Sequence, residues 1–151
     1  MFHIAVRRGN PHDIEEWMKL VEKVSPLFPG LETRAAIAEH KNTVLEFMNR
    51  GEALCVADGD KIVGVLLYSQ KHNMLCCLAV DPDYRKLGIA SALILEALAS
   101  LDRSRKITVS TYREGDDKGI AARALYEKFG FRPGELVEEF GYPNQIFVLY
   151  S

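Results

Sequence analysis

The stretch AVDPDYRKLGIASALI, residues 79–94, changes character three times in sixteen positions. Ala79 and Val80 end the apolar run NMLCCLAV, residues 73–80, whose length and composition predict a strand. Pro82 then marks a turn, Arg85 and Lys86 bring positive charge, and Gly88 opens a helix. In that helix Ala90, Leu93, Ile94, Ala97, Leu98 and Leu101 fall at helical spacing. The first amides of a helix have no partner within it, and the helix dipole is positive there. Lys86 to Ala90 can therefore hold an anion, most naturally a phosphate. Gly88 keeps the backbone bare, and Ala90 and Ser91 are small enough for a ligand to come close. The stretch lacks both the G-K-[ST] ending of a nucleotide-triphosphate loop and the three glycines of a dinucleotide fingerprint.

Outward from this centre the chain reads as closely spaced elements without repeats or linkers. Phe2 to Val6 alternates as a first strand, and Pro11 opens a helix with Ile14, Trp17, Met18 and Val21 on one face, ending before Pro26. SPLFPGLET, residues 25–33, is a loop whose Thr33 caps a second helix running to about Asn49. EALCVA and KIVGVLLYS flank the turn Asp58-Gly59-Asp60 as antiparallel strands. The run 73–80 is so apolar that it predicts burial on both faces. KITVSTY gives a fifth strand, GIAARALYEKFG a short helix closed by Gly130, and FRPGELVEEF with NQIFVLY a terminal strand pair. The order is β-α-α-β-β-β-α-β-α-β-β. The crossover helix between the fourth and fifth strands makes them a parallel pair in an otherwise antiparallel sheet, and a site can open there.

Composition narrows the class. A chain of 151 residues with 48% hydrophobic content fits one α/β domain over residues 1–151. A formal net charge of −2 argues against nucleic acid as the main partner. The three cysteines, Cys55, Cys76 and Cys77, form neither a disulfide framework nor a metal-ligand spacing, which fits a reducing cytoplasm and predicts no metal. No stretch approaches the roughly 20 apolar residues needed to cross a bilayer.

Two motifs at this separation resemble those of the GNAT superfamily of N-acetyltransferases. In the family pattern V-x-P-x-[YF]-R leading into R/Q-x-x-G-x-G/A, this chain places Val80, Pro82, Tyr84, Arg85, Gly88 and Ala90. In the second pattern, A-x-x-L-Y-E-K-x-G-F, it places Ala122, Leu125, Tyr126, Glu127, Lys128, Gly130 and Phe131. The element order is similar to the whole family fold, a mixed, mostly antiparallel sheet with a central parallel pair. The resemblance implies acetyl-CoA as cosubstrate and transfer of its acetyl group to a primary amine by direct attack in a ternary complex. It implies that the CoA pyrophosphate sits on the amides of Lys86, Leu87, Gly88, Ile89 and Ala90, with Arg85 beside a phosphate. Pantetheine is then expected to pair with Leu78 and Val80, standing in for a strand where the fourth and fifth strands splay.

The chemistry needs a deprotonated amine, a polarised thioester carbonyl and a stabilised thiolate. The resemblance casts Tyr126 as the acid for the thiolate. Its helical position predicts Leu125 and Phe129 on the core face, with Tyr126 rotated by about 100° toward the gap between the strands. A backbone N–H near Leu78 to Val80 is the expected carbonyl polariser. Relatives often carry an Asn three residues before the motif alanine, where this chain has Gly119, and a Glu on the fourth strand, where it has no acid. The base is thus open among His72, Asn73, Cys76 and water. Strand alternation predicts that Cys76 and Cys77 do not both face the site. Both are expected as small buried residues, with an acyl-Cys route as the minor alternative.

Relatives gather the acceptor from the loop between the first two helices and from the last hairpin. Here that implies an aromatic wall of Phe28, Phe140 and Tyr142, with Glu32, Glu138 and Glu139 attracting a cation. The acceptor is a small-molecule amine, a peptide or a protein amine, and a second copy of the chain is a compatible partner. The competing class is a module of the same fold that senses acyl-CoA without turnover.

Overall fold

The computed structural model describes residues 2–28 and 30–151; Met1, and Pro29 of the expected loop, lie outside the described residues. The chain forms β1 (Val6–Arg8), α1 (Ile14–Val24), α2 (Arg34–Asn49), β2 (Ala53–Asp58), β3 (Lys61–Ser69), β4 (Met74–Val80), α3 (Ile89–Ser100), β5 (Ile107–Tyr112), α4 (Ile120–Lys128), β6 (Arg132–Glu139) and β7 (Tyr142–Leu149). Short 3-10 turns at Pro11–Asp13, Ser25–Leu27, Pro82–Tyr84 and Asp117–Gly119 lead into or out of helices. The sheet order is β1-β2-β3-β4-β5-β7-β6, with β4 and β5 parallel and the other pairs antiparallel.

Alternation along the strands feeds two apolar layers, one on each face of the sheet. Leu54, Val56, Val63, Leu66 and Leu75 join α3 and α4 residues such as Leu93, Ile94 and Tyr126. Ala53, Cys55, Val65, Leu67 and Ala79 join Trp17, Val21, Val44 and Met48 of α1 and α2. Thr33 caps α2 as expected, its Oγ1 accepting from the Ala36 N–H at 3.0 Å. Gly64 lets the start of α3 press against β3, since a Cβ there would lie 2.5 Å from Ile89 Cγ2.

Two expectations need correction. The first strand is Val6–Arg8, not Phe2 to Val6, because β2 offers partners only opposite these three residues. Phe2 instead packs its ring edge-on against Tyr84, with centroids 5.5 Å apart. The fourth strand is not buried on both faces: Leu75 and Ala79 are buried, Cys77, Leu78 and Val80 are half-buried, and Cys76 is exposed. The cause is its neighbour. Only Met74 and Leu75 pair with β5, at Thr108 and Val109, after which the two strands diverge.

Candidate active site

The divergence of β4 and β5 leaves hydrogen-bonding groups without a strand partner. The Asp81 N–H bonds to Val63 O at 2.8 Å, which fixes the phase of the β3–β4 ladder. By alternation Ala79 and Cys77 bond toward β3, and Leu78 and Val80 present their N–H and C=O groups to the gap. On the other bank, Thr108 bonds across to Asn73 O, so Ser110 and Tyr112 turn their backbone groups toward the same gap. Arg123 of α4 takes up Tyr112 O at 2.8 Å and Gln145 Oε1 at 2.7 Å. The gap is thus a slot edged by amides, open at its upper end.

At that end lies the turn into α3. Lys86 and Gly88 both adopt left-handed backbone, with φ of 62° and 88°. For Lys86 this conformation carries strain of about 1–2 kcal/mol, of the kind that collects at functional turns. Left-handed residues on either side of Leu87 are backbone of the kind that can form a nest for an anion. Among the described residues none of the Lys86 to Ala90 N–H groups bonds to another backbone group outside the helix, and the first such bond of α3 is Ala92 N–H to Gly88 O. Arg85, Lys86, Leu87 and Gly88 are exposed, Ala90 is half-buried, and Ile89 anchors the turn in the core.

The turn is held from behind by residues that sequence reading overlooked. Asp81 is buried, and its Oδ1 accepts from the Asp83 N–H at 2.9 Å and from Lys23 Nζ of α1 at 2.8 Å. Burial works against its charge, yet these bonds prevail and hold its pKa below the usual carboxylate range. Tyr84 donates to Asp58 Oδ2 at 2.5 Å and lies under Lys61. The signal was present: an Asp before Pro, with its carboxylate accepting two residues on, is an Asx turn.

Tyr126 lies deeper than its spacing suggested. It is the buried residue of α4, while Leu125 and Phe129 are half-buried. Its ring packs on Phe131, just past α4, and on Phe147 of the inner strand β7, with centroids 5.8 and 6.3 Å away. Its hydroxyl makes no hydrogen bond among the described residues. Burial, with the Cys77 thiol as charged-state neighbour, pushes its pKa well above that of an ordinary phenol. The hydroxyl is therefore a fully protonated donor at neutral pH.

On the α1/α2 side, a 280 Å³ pocket is lined by Ser25, Pro26, Phe28, Leu31, Glu32, Lys118 and Tyr142. It brings together the helix-connecting loop, the turn before α4 and the start of β7. The Glu32 carboxylate is fixed by the Gly30 N–H, 3.0 Å from both oxygens. Tyr142 donates to Asp116 Oδ2 at 2.6 Å, and Tyr112 donates to Leu27 O. Phe140, 82% exposed, covers Gly30 from the hairpin tip, with its ring 2.8 Å from where a Cβ on that glycine would be. Phe28, Tyr142 and Glu32 thus meet as expected, whereas Phe140, Glu138 and Glu139 do not line the pocket. The two glutamates lie on the outer edge strand β6, which is exposed along most of its length.

A model of the acetyltransferase (GNAT) domain family matches residues 49–133, more than half of the chain and both motif-bearing segments. The chain belongs to the GNAT acetyltransferase family. A GNAT-family acetyltransferase from Bacillus cereus has the same fold at 20% identity, with 99% of each chain covered and a TM-score of 0.74. The PaiA N-acetyltransferase from Thermoplasma acidophilum, solved in complex with coenzyme A, aligns over 99% of this chain and 100% of its own at 16% identity and a TM-score of 0.70. The uncharacterized N-acetyltransferase YvbK from Bacillus subtilis is 30% identical over 96 residues, which are 61% of this chain and 60% of that relative's length.

Within this GNAT domain the departures from the family pattern acquire physical reasons. Gly119 is buried, and a Cβ there would lie 2.4 Å from Tyr112 Cβ. Any side chain at that position, asparagine included, would push α4 off β5. His72 is exposed at the β3–β4 turn, with only its N–H engaged, by Ser69 Oγ at 3.2 Å. Asn73 is 1% exposed and wholly occupied with the loop before β5. β4 carries a bulge at Cys76, with Leu67 facing Cys77 and Tyr68 facing Leu75, and Cys76 is exposed there instead of buried as expected. Leu75 accordingly belongs to one apolar layer and Cys77 to the other. Burial pushes the Cys77 thiol up to about 12, so it stays protonated and poor as a nucleophile.

Proposed function

We propose that this chain is an acetyl-CoA-dependent N-acetyltransferase that moves the acetyl group to a primary amine by direct attack in a ternary complex. The observation that carries this reading is the β4–β5 gap, with the free edges of Leu78 and Val80 leading toward the turn of Lys86 to Ala90, whose amides have no backbone partner among the described residues. An extended chain of amides ending in a pyrophosphate fits that combination of free edge and anion nest. Acetyl-CoA supplies a thioester carbonyl and a thiolate leaving group.

The residues of this chain then divide the work. Lys86, Leu87, Gly88, Ile89 and Ala90 hold the pyrophosphate through their backbone, with Arg85 adding charge at the rim. Leu78 and Val80 hold the pantetheine amides, and a β4 N–H polarises the carbonyl. Tyr126 gives its hydroxyl hydrogen bond to the thiolate as it forms. The acceptor enters from the pocket of Phe28, Leu31 and Tyr142, where Glu32 favours a protonated amine with an apolar body. Ser110 Oγ and Asn144 Oδ1 are buried without a protein partner on this same face. They are oxygens able to accept hydrogen bonds from the ammonium, whose proton passes to solvent water before the free amine attacks, in a site whose strand carries no acid.

The test is thiol release from acetyl-CoA across a panel of primary amines. Amine-dependent release is the expected result. Tight acetyl-CoA binding by calorimetry with no release for any amine would favour the sensing module of the same fold, which the acid-free fourth strand also permits.

A further inference from the structure

The slot between β4 and β5 has an apex, and one side chain accounts for most of the hydrogen bonds that define it. Asn73 precedes β4 and has a left-handed backbone, with φ of 52°, at 1% exposure. Its Nδ2 donates to Asp102 O at 2.9 Å and to Lys106 O at 3.0 Å, and its Oδ1 accepts from the Asp102 N–H at 2.8 Å. Its own carbonyl accepts from the Thr108 N–H at 3.3 Å. Asp102 and Lys106 bracket the loop from α3 to β5, so this amide stitches the start of β4 to the start of β5. Two residue pairs later the strands part, with the Cys76 bulge turning β4 aside. Asparagine suits the place on two counts: it tolerates left-handed backbone, and its amide offers both donors and an acceptor.

We infer that Asn73 is a positioning residue that fixes the apex of the slot and thereby the separation of the β4 and β5 edges that receive pantetheine. It touches no reacting atom. The placement of the thioester rests on the function proposed above, whereas the apex itself does not. The four bonds act on one short segment, and burial leaves water no way to replace them.

Three variants test this. Asn73→Gly keeps the left-handed backbone and removes the side-chain bonds; Asn73→Asp keeps the acceptor and removes the donors. Val44→Ala truncates a fully buried side chain in the α1/α2 layer and serves as a destabilised control. Amide exchange in the ligand-free protein is expected to quicken at Thr108 by about tenfold or more in Asn73→Gly, with Val44→Ala leaving that amide unchanged relative to its neighbours. The dissociation constant for CoA is expected to rise by about tenfold in Asn73→Gly and less in Asn73→Asp, with Val44→Ala within about twofold of wild type below its melting temperature. Wild-type CoA affinity in folded Asn73→Gly protein, or unchanged exchange at Thr108, would overturn the inference. If Asn73→Gly does not fold, Asn73→Asp decides by the same readouts. If wild-type protein binds no CoA, the proposed function fails, and exchange at Thr108 still decides whether Asn73 sets the apex.

Discussion

The proposed cofactor cradle and the proposed acceptor pocket are made in opposite ways. The proposed cradle is a run of consecutive residues, Lys86 to Ala90, that offers main-chain N–H groups. The pocket draws Phe28, Glu32, Lys118 and Tyr142 from three distant segments and acts through side chains. A backbone site tolerates changes of side chain and is sensitive to changes of φ; a side-chain site behaves the other way round. Apart from both stands Tyr126, whose ring belongs to the core and whose hydroxyl has no hydrogen-bond partner among the described residues.

Four substitutions sharpen or break this contrast. The largest effect is expected for Tyr126→Phe, which leaves the packing on Phe131 and Phe147 intact and removes one unpartnered hydroxyl. Steady-state kinetics should show kcat reduced by roughly 10²-fold or more, with the melting temperature and CoA affinity close to wild type. Wild-type kcat with chemistry rate-limiting would make Tyr126 a packing residue alone.

Next comes Gly88→Val. A Cβ at position 88 meets nothing nearer than Ile4 Cδ1 at 3.8 Å, so the obstacle is conformational: φ is 88°, where a β-branched residue is strained. Calorimetry should show CoA binding weakened by about tenfold or more, matching a backbone cost of about 1–2 kcal/mol, with the acceptor KM little changed.

A smaller effect is expected for Glu32→Gln. It keeps an oxygen for the Gly30 N–H and removes the charge, so the KM for a cationic amine should rise several-fold, on the order of 1 kcal/mol, while CoA affinity stays the same. An unchanged KM for the cationic amine in Glu32→Gln would show that Glu32 only shapes the loop. The smallest effect is expected for Arg85→Ala, because the side chain is exposed and its charge screened. A loss of CoA affinity of about 1 kcal/mol or less is predicted, shrinking further as salt is raised. A loss as large as that of Gly88→Val would overturn the division between backbone and side-chain sites.

The difference between the two regions also explains what could be read early. The cradle is local: a strand end, Pro82, Gly88 and a periodic helix lie within sixteen residues, and each has a fixed conformational meaning. The pocket is non-local, so sequence marked its two contributing loops and three of its residues without showing that Lys118 joins them or that Phe140 instead closes over Gly30. Tyr126 was found by motif and misplaced by periodicity, because α4 is packed by β7 and Phe131 as well as by its own stripe. Cys76 is exposed where the apolar run predicted burial, at a bulge where β4 shifts register against its neighbour.

By itself the sequence determined the order of the elements, the parallel pair of β4 and β5 on either side of α3, and the glycine turn into α3, since period, turn chemistry and chain connectivity fix these locally. Tertiary structure alone decided where β4 and β5 part company, how Asn73 and the Cys76 bulge shape that parting, and why position 119 has room only for glycine. Those outcomes depend on bonds and contacts between residues some thirty positions apart or on facing elements, which no local pattern records.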